Sequence, residues 1–476
     1  MENKKWRHVR LAGVCGLALM GGAVSAAAQS VEELQAQIDF LRAEIEKLKA
    51  ERSPAAPLSP APLAERETAT STDDPHSVPE EKPLVVKAAG APSFTGDGFK
   101  NFKIRGRIQS DFAQIGDPDK IGTLSADGFT PDRGLGTVAE IRRVRIGAQG
   151  EMGDWGYKFE VDFAGGETNV ADAYLAYKGI DNLALIVGYQ KTQASMEEQV
   201  SSLDVVFMER SRFTDAIDLR REMGVTADWS GENWHWKSGI FVDGAFDEDD
   251  EVNGLIVSSR GHYTFGPKHA FTHMGASVEY RDSGAEQGRL RNRPLFHASD
   301  SRLLDTGSLD STSSLYTGLE LAGGYGAFYF ETELATLGLS VRDEAGQSST
   351  ARFNGASLHL GYFLTGEQRA YKRSAGTWSR TKPDNPLGKG GFGALDVAFG
   401  ADWVDLNASD ESIFGGQQLT FLAGLSWRPV DHIRFMANIS HMEIYDSASH
   451  LHLKNDGTVE DDFGLNMFGL RAQVDW

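Results

Sequence analysis

KNFKIRGRIQSDF, residues 100–112, is the stretch whose reading decides the fold. Asn101, Lys103, Arg105, Arg107, Gln109 and Asp111 fall on one side of an extended chain. Phe102, Ile104, Ile108 and Phe112 fall on the other, with Gly106 and Ser110 between them. A period of two is the signature of a β-strand with two unlike faces. Three cations along one face make that face wet. The run is about as long as a tilted membrane-spanning strand, roughly 9–11 residues.

Half-exposed strands of soluble sandwiches look the same, so repetition carries the argument. Working outward, sixteen candidate strands follow to the last residue: 100–112, 138–151, 155–164, 171–179, 182–190, 221–229, 233–243, 255–265, 269–281, 314–323, 326–338, 351–364, 392–404, 417–428, 431–444 and 464–476. In YKFEVDF, Lys158, Glu160 and Asp162 point one way and Tyr157, Phe159, Val161 and Phe163 the other. LDVAFGADW sets Leu395, Val397, Phe399, Ala401 and Trp403 on one face, and FGLRAQVDW does so with Phe468, Leu470, Ala472, Val474 and Trp476. An aromatic last residue resembles the C-terminal signal of outer-membrane barrels. The expected fold is all-β, a sixteen-stranded antiparallel transmembrane β-barrel over 98–476, polar inside and apolar outside. Even-numbered closure leaves no free edge in lipid.

The connections support it. Tight turns at 153–155, 181–182, 230–233, 266–269, 323–326 and 428–431 alternate with long loops at 113–137, 190–220, 282–313 and 445–463. Short turns belong to the periplasmic end of such barrels and long loops to the outside. Residues 365–391 break the rule, being long but at the short-turn end by parity. Either the strand count fails there or this loop is an exception.

No run of about 18 apolar residues exists, and the mean hydropathy is negative, as expected when only every second residue meets lipid. The formal net charge of −21 argues against nucleic-acid binding. The sole cysteine, Cys15, falls in a leader-like segment, residues 1–28. There Lys4, Lys5, Arg7 and Arg10 precede an apolar middle and Ala26-Ala27-Ala28. Within residues 29–51, Val31, Leu34, Ile38, Leu41, Ile45 and Leu48 follow heptad spacing, the mark of a coiled-coil helix. Residues 52–97 hold eight of the 15 prolines and read as an extended or disordered linker.

The second strand reads EIRRVRIGAQGEMG. With Val144, Ile146 and Ala148 outward, Arg143 and Arg145 point inward, about 7 Å apart. Arg142 breaks parity, which a bulge or an interfacial position would explain. A ladder with Lys103, Arg105 and Arg107 on the neighbouring strand would suit oxyanions, because guanidinium forks match phosphate oxygens. The alternative is plain neutralisation by Glu160 and Asp162. In the loop 190–221, Met196, Val205, Val206, Phe207 and Met208 need burial, which folding into the lumen would provide. Lys191, Arg210, Arg212, Arg220 and Arg221 could then project into the pore, opposed by six acids between Glu197 and Asp218. His269 and His273 read as inward polar groups without metal spacing. No G-x-S-x-G, H-E-x-x-H or P-loop pattern occurs, so no enzyme, metal or cofactor is expected.

The succession RRVRIGAQGEMGDWGYKFEVDFAGG, VADAYLAYKGI, VGYQKTQ, SSLDVVFMERSRFTDAI and REMGV, with GYFLTGEQRAYKR at 361–373, resembles the phosphate-selective porin O and P family. The resemblance implies a trimeric outer-membrane channel with an arginine-lined path for phosphate-type anions, set among outer-membrane lipid. It maps the adjacent arginines of the family pattern onto Arg142 and Arg143, the acid of DAYL onto Asp172 and the arginine of FMER onto Arg210. The heptads, with β-branched residues at a and Leu at d, favour two strands, whereas a trimer needs three. The acidic run 247–251 would repel phosphate over a Debye length of about 8 Å, or is merely solvated. Two other readings stay open: a non-selective or cation-leaning porin, motivated by the −21 charge, and an envelope tether acting through a periplasmic N-terminal helix.

Overall fold

Alternation of apolar and polar side chains builds strands wherever lipid lies on one side and water on the other. A computed structural model describes residues 85–87, 93–96, 99–217, 219–244, 254–282, 287–343 and 345–476. The leader-like segment, the heptads and the acidic run 247–251 lie outside the described residues, as does Asp218.

Sixteen strands form the wall: β1 Phe99–Ile115, β2 Gly136–Met152, β3 Trp155–Asp162, β4 Asn169–Ile180, β5 Leu183–Lys191, β6 Arg221–Ser230, β7 Trp234–Asp243 and β8 Gly254–Phe265. There follow β9 Ala270–Asp282, β10 Leu309–Tyr325, β11 Phe328–Arg342, β12 Ser348–Phe363, β13 Ala394–Ala408, β14 Ile413–Val430, β15 Ile433–Tyr445 and β16 Phe463–Asp475. Each pairs antiparallel with its neighbour in sequence, and β16 pairs with β1, Asp475 opposite Arg107 and Arg471 opposite Asp111. The barrel is closed, and every expected strand is present.

The outer face is apolar as expected: Ile104, Ile108, Phe112, Phe159, Phe399, Phe468 and Leu470 are exposed, while Arg107, Gln109 and Asp111 are buried inside. Beside the tight turns, Trp155 and Tyr177 touch, as do Trp229 and Trp236, and Phe392 and Trp427. These form an aromatic girdle of the kind that sits at a membrane interface.

Three features differ from expectation. First, several strands continue past their expected ends on the long-loop side, as at Leu309, Ile413 and Ala408. There the polarity of the two faces is exchanged. Leu337, Leu339, Val341, Leu406, Leu465 and Met467 are buried inside, while Thr336, Ser340, Asn407 and Asn466 alternate with them and face out. Above the bilayer water lies outside, so the pattern changes sign while the pleat continues. Inside, these residues form a hydrophobic core with Leu295, Phe296, Leu303 and Leu304 of the loop 283–308, so the lumen is not uniformly polar.

Second, two short pieces of the linker are paired strands. Val85–Lys87 pairs with Ser93–Gly96, whose Ser93 and Phe94 pair with Lys103 and Phe102 of β1. β16 ends opposite Arg107, so the start of β1 would otherwise present an open edge. Third, the long connection after β12 is a genuine exception and not a miscounted strand. Residues 364–393 fold back into the barrel from the short-turn end, with Trp378 buried and Arg369 donating to Glu331 of β11 at 3.1 Å.

Candidate functional site

The site begins with one extra residue. Gln109 pairs with Arg143 and Ser110 with Ile141, so Arg142 is a bulge in β2. Two residues then oppose one, and both Arg142 and Arg143 reach the lumen. Arg145 lies directly across from Arg107.

The loop 192–220 crosses the lumen as expected, and the wall holds it by its backbone. Gln193 N–H donates to Ser258 Oγ (2.8 Å) and Met208 N–H to Asn438 Oδ1 (2.8 Å). Arg434 donates to the carbonyls of Leu203 (3.2 Å) and Val205 (2.9 Å). Val205, Val206, Phe207 and Met208 are buried by this crossing. The loop presses against β13–β16 and leaves a cavity of about 1270 Å3 along the opposite wall. That cavity runs from Arg289, Arg291 and Arg302 on the loop 283–308 to Tyr174 and Lys237, close above the short turns.

Sixteen Lys and Arg side chains and ten carboxylates line it, an excess of six positive charges in a chain whose formal charge is −21. Of the residues expected there, Arg105, Arg107, Arg142, Arg143, Arg145, Asp172, Lys191, Arg210, Arg220 and Arg221 line the cavity. Lys103 does not, because it sits beside the linker hairpin below the barrel seam. Arg212 is buried under the loop against Asp215, at 3.6 Å, and does not face the cavity. His269 is an exposed turn residue; only His273 points inward, bonded to Glu320 at 3.1 Å.

Neutralisation by neighbouring acids is real but incomplete. Arg107 meets Glu160 at 3.1 Å, and Arg145 meets Asp162 at 2.7 Å and Glu160 at 3.2 Å. Asp172 holds Lys158 at 2.6 Å and Arg221 at 3.1 Å. Glu198 holds Lys191 at 3.0 Å and Arg210 at 3.1 Å. Glu209 takes a two-point bond from Arg142, at 2.9 and 3.1 Å. Burial pushes the Glu209 carboxyl up, but Arg142 and Arg471 outweigh it and hold it well below the usual carboxylate range. Glu198 is likewise lowered, Arg210 and Lys191 overcoming its burial. Among the described residues, Arg105, Arg143, Lys237, Arg291 and Arg302 line the cavity and form none of the ion pairs within 4.0 Å that hold their neighbours. They are spaced along its length. Arg143 is bound only through Gln109 Oε1, at 2.9 Å, and its buried Nε has no partner.

The sequence reading missed the cations of the loop 283–308 and Lys237. GRLRNR at 288–293, with arginine at every second position, was the available signal. Of metal-capable groups among the described residues, Glu197, Glu331 and His359 come within 4.8 Å of one another. Both His359 nitrogens are already bonded, to Glu331 at 3.1 Å and Asp402 at 2.9 Å. No imidazole lone pair is left for an ion.

A closed barrel with an apolar exterior and a charge-lined cavity defines an outer-membrane channel. Comparison with known proteins specifies it further: the family model described as phosphate-selective porin O and P matches residues 102–476, and the chain belongs to that family. It is 33% identical to an uncharacterised protein of Caulobacter vibrioides over 94% of this chain and 90% of that one. It is 25% identical to Porin O of Pseudomonas aeruginosa over 69% of this chain and 78% of that one. OmpT, an outer membrane protein of Vibrio cholerae, shares the fold with a TM-score of 0.50 at 13% identity, over 81% of this chain and 99% of that one.

Proposed function

We propose that the lumen conducts small anions passively, inorganic phosphate among them, through the passage between the loop 192–220 and β1–β7. The observation that carries this reading is the run of cations with no carboxylate partner, from Arg291 and Arg302 through Arg143 and Arg105 to Lys237. An anion entering a narrow space must exchange hydration water for protein donors, and each site must release it to the next. Guanidinium groups spaced along the wall supply such donors without trapping the ion. The paired cations, among them Arg107, Arg142, Arg145, Arg210 and Arg221, keep their acids occupied and shape the wall. The short-turn end is then periplasmic and the loop 283–308 faces outward. Residues 1–28 act as a removable leader, the heptads of 29–51 join copies of the chain in the periplasm, and the barrel works as a homotrimer.

Single-channel recording in planar bilayers tests the selectivity. A potassium chloride gradient is expected to give a zero-current potential favouring chloride, and added phosphate to block the chloride current. Potassium preference without phosphate block would instead establish the cation-leaning general porin.

A further inference from the structure

Two cations sit side by side on the bulge of β2, yet only one is neutralised. Arg142 donates from Nε and Nη2, one edge of its guanidinium, to the two oxygens of Glu209. Arg143 touches no carboxylate within 4.0 Å and is oriented by neutral amides: it donates to Gln109 Oε1, while Gln109 Nε2 donates to Gln473 Oε1 at 2.7 Å and to the Ser202 carbonyl at 3.1 Å. Glu209 lies in the same cavity. What keeps it on Arg142 is found behind it. Arg471 of β16 donates to Glu209 Oε1 at 2.6 Å and also to the Met208 carbonyl. Arg471 is in turn gripped by Asp111 of β1 in two-point fashion, at 2.7 and 2.6 Å. Arg471 and Asp111 face each other directly across the seam where the barrel closes, and both are buried.

Resting on the anion reading above, we propose that Arg471 and Asp111 are positioning residues for the constriction. They tie Glu209 to Arg142 and away from Arg143, which leaves the Arg143 charge available to a passing anion. The contacts of each arginine support this division. Arg142 and Arg471 share Glu209 and Asp111, Glu140 reaches Arg142 at 4.0 Å and is itself bonded to His297 at 3.0 Å, and Arg143 meets none of these acids within 4.0 Å. Neither Arg471 nor Asp111 lines the cavity, so they act through Glu209 and not on the ion. Glu209 Oε1 accepts from both Arg142 and Arg471; without Arg471 that oxygen can take a second donor, the neighbouring Arg143, whose charge the throat then loses.

The test removes the seam pair as a unit, because stripping one partner would leave a buried charge alone. The full chain carrying Asp111→Asn with Arg471→Met is compared with the unaltered protein in planar bilayers. The zero-current potential is expected to move toward potassium, and phosphate block to weaken about tenfold. Adding Glu209→Gln should restore both, and Arg471→Lys alone should largely preserve them. An unchanged potential in the double variant overturns the proposal. A loss that persists after Glu209→Gln also overturns it, since the seam pair would then serve only the architecture. The potential is read relative to the unaltered channel. A protein that preferred cations throughout would therefore defeat the phosphate reading yet still register this shift.

Discussion

At the residue scale, the site divides the arginines by what stands next to them. Arg142, Arg143 and Arg145 were legible because alternation gives a direction to each side chain on a strand, and a broken alternation marks a bulge. The neutralising acids Glu160 and Asp162 were legible for the same reason. Arg212 was not, because a side chain in a loop has no period to orient it. It starts the short helix Arg212–Ala216, and its guanidinium turns back to the Arg210 carbonyl and Asp215. The contrast is measurable. Arg143→Gln, which keeps the amide contact to Gln109 but removes the charge, is expected to weaken phosphate block roughly tenfold, or about 1.4 kcal/mol. Arg212→Gln should leave block within about twofold, as read by titrating phosphate against the chloride current.

At the element scale, two loops enter the barrel from opposite ends, and of these the loop 192–220 borders the passage. The loop 192–220 was expected inside on the strength of its apolar residues, and Phe207 shows why that reasoning works. Its ring enters a slot where a Cβ on Gly400 or Gly424 would lie 2.6 or 3.1 Å from it, with the His359 ring edge-on at 5.0 Å. Phe207→Ala removes about 3–5 kcal/mol of packing and is expected to loosen the loop, raising single-channel conductance and its noise. The other inward loop, 364–393, announced itself only by breaking the length rule. It is polar, and its seat depends on partners far away in sequence, such as Arg260 donating to the Gly376 carbonyl at 2.7 Å. At the long-loop mouth, Asp132 accepts from His450 at 2.9 Å and joins the first long loop to the last. Burial raises the Asp132 carboxyl, but the bonds from His450, Ser301 and Gly134 bring it down to about 2. A lowered carboxyl stabilises the joined state above its ordinary range near 4 and loses that contribution as pH falls toward 2. Protection of residues 121–132 and 447–454 against hydrogen exchange, taken relative to the intrinsic rate at each pH, should therefore fall over that window. In Asp132→Asn the protection should already be low and change little with pH.

At the scale of the whole molecule, lipid and water divide the chain. The exposed side chain of Leu319 on β10 faces the membrane among other apolar groups, so Leu319→Arg is expected to cost roughly 2–4 kcal/mol near the bilayer midplane. Reversible denaturation of the barrel in lipid vesicles would register it. The net charge of −21 describes the chain as a sum, whereas the passage sees only the groups turned toward it, where cations outnumber acids. By itself the sequence determined the number of strands, their order, which face meets lipid, and the cationic character of β1 and β2. Each of these follows from neighbours a few residues apart, through the two-residue period of the pleat. Only the tertiary structure decided which cations keep their charge. That depends on which acid each loop brings to which arginine, and contacts such as Arg471 with Glu209 join positions 262 residues apart. No local period links such positions, so the closed barrel and its folded-in loops alone set the pairing.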